Sequence, residues 1–289
     1  TAADVLLLLL LQKKGFRYLE ALVFSLIVMI IACFGYEIWA SHPQLFPILK
    51  GLIPSPQIIQ NKEMLYIAIG ILGATVMPHN LYLHSAVVQT RNYDESVEGK
   101  KEAIRFSAID STLALGIAFF VNAAILIISA SVFYTRRLHQ VAEISDAHQL
   151  LSPLLGTSVA GILFAVALLA SGQNSTITGT LAGQIIMEGF LKLRLKPWMR
   201  RLITRLLAII PAITVIILFG DKGVGKLLIL SQVILSLQLP FAVFPLVQFT
   251  SNEKKMGPFT NSLLTKITAY SVASLILVLN VWLVYNTFF

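Results

Sequence analysis

The chain has 289 residues, of which 56% are hydrophobic and only 12% charged, and its net charge at neutral pH is +8. With a mean hydropathy of +0.80 it lies far from the composition of soluble domains, and a water-soluble globular protein is excluded. Runs long enough to cross a bilayer, about 20 apolar residues each, recur along it, which is the pattern of an integral, multi-pass membrane protein.

Eight apolar segments are predicted, at residues 1–12, 18–40, 65–91, 106–134, 156–190, 202–219, 227–250 and 264–289. The first, TAADVLLLLLLQ, is too short to span. It has the character of the second half of a helix, with no charged n-region or small-residue cleavage site before it, so it is not read as a signal peptide. The expectation is a sequence that begins partway through a longer membrane domain. The second segment contains Cys33, whose solitude excludes a disulfide within the chain. The third contains GATVMPHNLYLHSAVVQ, from Gly73 to Gln89, where a Met, a Pro, two His and an Asn interrupt an apolar run. Asp110 in the fourth segment and Glu188 near the end of the fifth could serve proton movement, or simply cap helices and contact loops.

At ~1.5 Å per residue the fifth segment would exceed the ~30 Å hydrocarbon core, so it must tilt or project. Its Gly172, Gly179 and Gly183 are read as helix-packing residues, the last two spaced as G-x-x-x-G. Gln173, Asn174, Ser175, Thr176 and Thr178 either bridge helices or line a cavity. The triplet Asn174–Ser175–Thr176 lies inside a span, out of reach of glycosylation. GDKGVGKL at 220–227 has the spacing of a phosphate-binding loop, yet Leu227 stands where a Ser or Thr should ligate Mg2+, and no strand precedes it. It is predicted to be a short turn. The two longest connections, 41–63 and 135–155, are too short for a soluble domain, and TRRLHQVAEISDAHQLL in the second is expected to form a small surface helix. His42, His139 and His148 are too scattered in these connections for a metal-ligand spacing and are expected to be solvated.

Basic residues set the expected orientation. Most of the 22 Lys and Arg fall in alternate loops, at Lys13 to Arg17, Arg91 to Arg105, Lys192 to Arg205 and Lys254 to Lys266, against Lys50, Lys62, Arg136, Arg137, Lys222 and Lys226 in the other set. Cytoplasmic loops accumulate such charge, which places Phe289 outside. The basic pI is thereby explained as topology, and no nucleic-acid partner is implied.

The third segment cannot be one continuous helix. Pro78 has no amide hydrogen and its ring collides with the carbonyl four residues back, while Gly73 weakens the helix further. A break is predicted between about 73 and 79. Backbone freed at membrane depth must be satisfied by protein or an aqueous cavity, and freed carbonyls are oxygen ligands of the kind interrupted transporter helices offer to ions. Beside them Met77 adds a soft sulfur, which hard Mg2+ and Ca2+ do not seek and later transition metals do. Met77 could equally be packing filler at a common proline kink. His79 and His84 are five residues apart, about 140° around a helix, which disfavours a shared chelate and a metalloprotease reading. Separate roles in ion or proton movement suit them better.

The nonapeptide MPHNLYLHS, continued by AVVQTR, resembles the sixth-helix signature of the natural-resistance-associated macrophage protein (Nramp) family of proton-coupled divalent metal transporters. LQKKGFRYLEA is similar to the family's junction of helices four and five, SGQNSTITGTLAGQ to its eighth helix and LSQVILSLQLPFA to its tenth. The resemblance implies an all-α polytopic fold, a LeuT-like inverted-repeat helical bundle with a partial first repeat and a complete second one, in a single transmembrane domain that is the C-terminal portion of a longer transporter. It implies a transporter and not an enzyme, importing Mn2+ or Fe2+ as substrate by alternating access, with no permanently bound cofactor. Residue by residue, Met77 would supply sulfur, Ala74 its carbonyl and Gln232 its amide oxygen to the metal, with Gln238 nearby as an alternative. His79 and His84 resemble the helix-six histidines tied to proton coupling, and Arg205 an arginine on the proton route, though Arg205 could also be a snorkelling anchor. Gly73 and Pro78 would make the helix break. The expected partners are metal ion, protons and the lipid bilayer, in the plasma (inner) membrane.

The sequence departs from the family in one respect: neither the first-helix Asp-Pro-Gly-Asn tetrapeptide nor the acidic groups of the third helix occur in it. Asp4 does not replace them. A thioether, a carbonyl and an amide carry no negative charge, so this chain alone is expected to bind metal poorly, with upstream helices completing the site. A non-transporting membrane metal sensor or scaffold, and a relative shifted to Mg2+, are the alternatives; the lack of a sizeable soluble domain argues against the first and Met77 against the second.

Overall fold

The computed structural model describes residues 16–138, 141, 143–189, 197–220 and 222–288. Among them there is no strand. The helices are α1 (Phe16–Ser41), α2 (Leu45–Gly51), α3 (Gln57–Gln60), α4 (Lys62–Thr75), α5 (Pro78–Val88), α6 (Val97–Ser129), α7 (Ile144–Leu155), α8 (Val159–Gly189), α9 (Pro197–Phe219), α10 (Lys222–Thr250), α11 (Glu253–Met256) and α12 (Leu263–Phe288), with a π turn, Ala130–Tyr134, continuing α6. The predicted first segment, with Asp4, lies outside the described residues, as does His139. The other predicted segments each coincide with helix. Several helices start earlier than the apolar runs suggest. In α6 about two and a half charged turns, with Glu98, Lys100, Lys101, Glu102 and Arg105, precede the apolar part. Helical geometry continues through such polar turns, whereas hydropathy registers only the part that suits lipid.

Among the described residues six stretches are long and apolar enough to cross a membrane: Glu20–Ser41, Lys62–Val88, Val97–Tyr134, Val159–Gly189, Val224–Thr250 and Leu263–Tyr285. The apolar part of α9, Leu202–Leu218, is shorter. Large apolar side chains are exposed along these helices, Phe106, Leu113 and Phe120 on α6 among them, as lipid-facing surface requires.

The chain divides into two compact units. Unit 1 comprises residues 1–53 and 102–214. Its core joins Ile30, Cys33 and Phe34 of α1, Ala124 and Ile128 of α6, Val132 and Phe133 of the π turn, Leu151 of α7, and Ala160, Ala167 and Ala170 of α8. Three alanines on one helix let α1 and α8 approach closely, and theirs is the most extensive helix pairing of the unit. The predicted surface helix is α7, and it is anchored in the core. Leu151 is buried, and the Ser152 hydroxyl accepts a 2.8 Å hydrogen bond from the Gly161 amide at the start of α8. Gly156 ends α7 at φ +69°, a conformation glycine reaches without strain. The two glycines of the G-x-x-x-G differ. A methyl on Gly183 would collide with the Thr204 side chain of α9, whereas one on Gly179 would meet nothing within 4 Å. Only Gly183 therefore marks a close helix approach.

Unit 2 comprises residues 54–101 and 215–289. Here α4 lies along α10, and both pack on α12 around buried Leu65, Ile69, Val233 and Leu283. Asn61 caps α4, its Oδ1 accepting from the amides of Glu63 at 2.9 Å and Met64 at 3.2 Å, which satisfies two donors that the first turn would otherwise leave open. The turn predicted over 220–227 is shorter than expected: Gly220 has φ +65° and α10 already begins at Lys222. Gly223 to Leu227 are thus helical, because nothing in KGVGKLL forbids helix once the chain has turned.

Candidate metal-binding site

The predicted interruption falls in unit 2. Helix α4 ends at Thr75, and the Val76 amide still donates to the Leu72 carbonyl at 2.9 Å. Met77 is then extended, with φ −82° and ψ 126°, and α5 restarts with Pro78 in its first position. Proline costs nothing there, since the amide it lacks is one that a helix start leaves unpaired. The Asn80 amide closes the new turn on the Met77 carbonyl at 3.0 Å.

The helix end leaves the last carbonyls of α4 without intrahelical donors, and the proline ensures that one of them stays so. In an α-helix the carbonyl of residue 74 accepts from the amide of residue 78. Residue 78 has no amide hydrogen, so the Ala74 oxygen loses its helical donor, and Ala74 is exposed. The half-buried thioether of Met77 follows three residues later. Sulfur and a free carbonyl are thus offered by one short stretch of backbone.

Gly73 brings α10 against this break. A Cβ built on it would lie 2.9 Å from both the Gln232 carbonyl carbon and the Ser236 amide nitrogen, and nearer still to the Gln232 oxygen. These are backbone atoms and cannot move aside. Gly70, one turn earlier, faces Ile229 and Val233 at 3.4 and 3.7 Å from a Cβ built on it, so a small-residue track admits α10. Gln232 is half-buried, its Nε2 donates to the Ser231 hydroxyl at 3.2 Å, and its Oε1 is buried with no hydrogen-bond partner. A buried, unpaired amide oxygen is costly unless something occupies it. Gln238, the alternative, is exposed.

The other predicted residues are placed as follows. His79 is in the first turn of α5, and its side chain lies outside the described residues. His84, in the same helix, is exposed. Arg205 is a residue of α9 in unit 1, with its side chain outside the described residues. Asp110 and Glu188 are exposed, as are His42 and His148. Among the described residues no three His, Cys, Asp or Glu side chains converge on a point that could hold a metal.

Two features of unit 2 escaped sequence reading. One is the apposition of Gly73 and Gln232, residues remote in the chain whose proximity no local pattern encodes. The other is Asn280 of α12. It is 2% exposed and donates from Nδ2 to the Ser236 carbonyl and hydroxyl, each at 3.2 Å, and to the Ile276 carbonyl at 2.9 Å. The Ser236 carbonyl is the one that Pro240 deprives of a helical donor, and an Asn within an otherwise apolar helix was the available signal.

The profile described as "Natural resistance-associated macrophage protein-like" matches residues 1–286. The chain is 61% identical over 287 residues to the "Divalent metal cation transporter MntH" of Listeria monocytogenes serotype 4a (strain HCC23), and 62% identical over 283 residues to the protein of the same name from Nostoc sp.. These matches cover 99% and 98% of this chain and 64% of each relative, so the chain spans about 64% of their length. Crystal structures of mutants of the Eremococcus coleocola manganese transporter superpose with TM-scores of 0.84 and 0.83 at 40% identity. The first covers 97% of this chain and 62% of that one. The all-α, LeuT-like helical class expected from the sequence is the fold of this chain, and its family is equally plain: it belongs to the Nramp family.

Proposed function

We propose that this chain is the C-terminal portion, a single transmembrane domain, of a secondary transporter importing divalent transition-metal ions, Mn2+ or Fe2+, and that the interruption at Val76–Met77 is its metal site. The single observation that carries the reading is the helix break at Val76–Met77 with the Gln232 backbone packed against Gly73, and three neutral donors are assigned to the metal there. These are the Ala74 carbonyl released by Pro78, the Met77 sulfur, and the unpaired Gln232 amide oxygen on the helix that Gly73 admits. The names of the relatives, divalent metal cation transporters and a manganese transporter, support the same substrate class. Sulfur in the set favours Mn2+ and Fe2+ over Ca2+ and Mg2+.

A divalent ion held only by neutral donors lacks charge compensation, and the relatives are longer than this chain. We therefore assign the anionic ligands to a part of the protein outside these residues. Import proceeds by alternating access, with one bundle rocking against the other around the site. Protons move through His79, His84 and Arg205, with metal entering from the outer face of the plasma (inner) membrane and Phe289 on that face. The metal is cargo, and no resident cofactor is invoked.

The test is metal uptake into liposomes carrying the full-length protein, with and without an inward proton gradient. Mn2+ uptake that the gradient accelerates and that Met77→Ala opens to Ca2+ is expected. Uptake indifferent to both the gradient and Met77 would overturn the reading.

A further inference from the structure

Unit 1 contains a cavity of about 270 Å³ that the proposed transport site does not use. Its wall comes from α1, the end of α6, the π turn, the segment leading into α7, α7 itself and α8. Of its described lining residues only three are polar: Glu37, Ser129 and Glu143. Glu37 is 0% exposed and neither of its carboxylate oxygens has a hydrogen-bond partner. It sits one turn before the end of α1 at Ser41, where the partial negative charge of the helix terminus adds to its own. The groups that face it offer no relief. Glu143, half-buried ahead of α7, is a second carboxylate, and Cys33 lies one turn back on α1. The lining residues from α6 and α8 include Ser129 and Phe164, and among the described residues no Lys, Arg or His lines the cavity.

An unpaired carboxylate in such surroundings is strongly unfavourable, and buried charges are found paired or bound to cations. Ionisable side chains inside membrane spans mark ion or proton positions by default. We propose that the cavity is a cation-binding site separate from the helix break, with Glu37 as its buried ligand and Glu143 as its partly exposed one. All of its described polar side chains offer oxygen, with neither thioether nor imidazole among them, so its occupant is a hard cation: a proton, or a metal ion such as Ca2+ or Mg2+ that keeps part of its water. Its selectivity is thereby the opposite of the one Met77 imposes at the break.

The test is infrared difference spectroscopy of the full-length protein in lipid nanodiscs. Spectra are recorded on pH steps and, separately, on addition of CaCl2 or MgCl2 at constant pH, for wild type, Glu37→Gln, Glu143→Gln and Met77→Ala. The expected result is a carboxyl signal present in wild type and in Met77→Ala, lost in Glu37→Gln, and requiring severalfold more cation in Glu143→Gln. A carboxylic-acid band that converts to carboxylate with pH identifies the proton as occupant, and carboxylate bands that shift with Ca2+ or Mg2+ identify the metal. Spectra of Glu37→Gln that match wild type under every condition would overturn the proposal. If Glu37→Gln does not fold, a wild-type response that survives Glu143→Gln unchanged would overturn the two-carboxylate site. Because Met77→Ala alters only the helix-break site, failure of the transport reading leaves this result interpretable.

Discussion

Pro78 and Pro240 each remove one backbone donor from a helix of unit 2, and the surroundings answer the two losses differently. At Pro240 the deprived carbonyl is that of Ser236, and Asn280 supplies a side-chain donor in place of the missing amide. Helix α10 runs through from Lys222 to Thr250. At Pro78 the deprived carbonyl is that of Ala74, and there the helix stops, Met77 becomes extended and a new helix begins. The comparison teaches that proline alone does not break a membrane helix. Pro245 lies in the same unbroken helix; where a neighbour replaces the donor, as Asn280 does for Ser236, the carbonyl is closed, and a carbonyl without a replacement remains open to a ligand.

The largest effect is expected from Gly73→Ala, which forces a methyl group into the Gln232 carbonyl and so attacks the open proline by pushing its partner helix away. Since only backbone can yield, a loss of about 3 kcal/mol is expected, seen as a lowered unfolding midpoint in detergent and low yield. Asn280→Ala attacks the closed proline instead. It strands a buried Ser236 carbonyl, at about 2 kcal/mol. Adding Pro240→Ala should restore a backbone donor to Ser236 and recover roughly 1 kcal/mol of that loss, a coupling read from the four-member thermal cycle. Additive losses would mean that Asn280 acts elsewhere.

Pro78→Ala is the reciprocal change, giving Ala74 back its donor. Stability should shift by less than about 1 kcal/mol, while Mn2+ uptake into liposomes falls at least ~10-fold, equivalent to about 1.4 kcal/mol, as the break closes. Uptake at the wild-type rate would separate the break from function. Met77→Ala should change the fold least of all. Its effect is on choice, with competition by Ca2+ against Mn2+ rising about tenfold in the same uptake assay.

Much of this was legible before the structure. The spans follow from apolar runs because lipid allows little else, and an interruption was to be expected where Pro78 follows Gly73, although Pro240 lacks the same amide hydrogen and leaves its helix whole. Helix ends were less legible, as at Val97 and Lys222, where polar residues continue a helix that hydropathy does not register. Least legible were the long-range appositions. Nothing local says that Gly73 meets Gln232, that Asn280 serves the carbonyl freed by Pro240, or that Glu37 shares a cavity with Glu143. These depend on tertiary packing, and each involves a polar or small residue in an apolar helix whose reason lies on another helix.

The central claim is that the interrupted helix presents Met77 to the metal. X-ray absorption at the manganese edge, recorded on the full-length protein loaded with Mn2+, tests it most directly. The account predicts a sulfur scatterer in the first coordination shell that disappears in Met77→Ala and persists in Cys33→Ser. A shell of oxygen and nitrogen alone, or a sulfur signal unchanged by Met77→Ala, would contradict it.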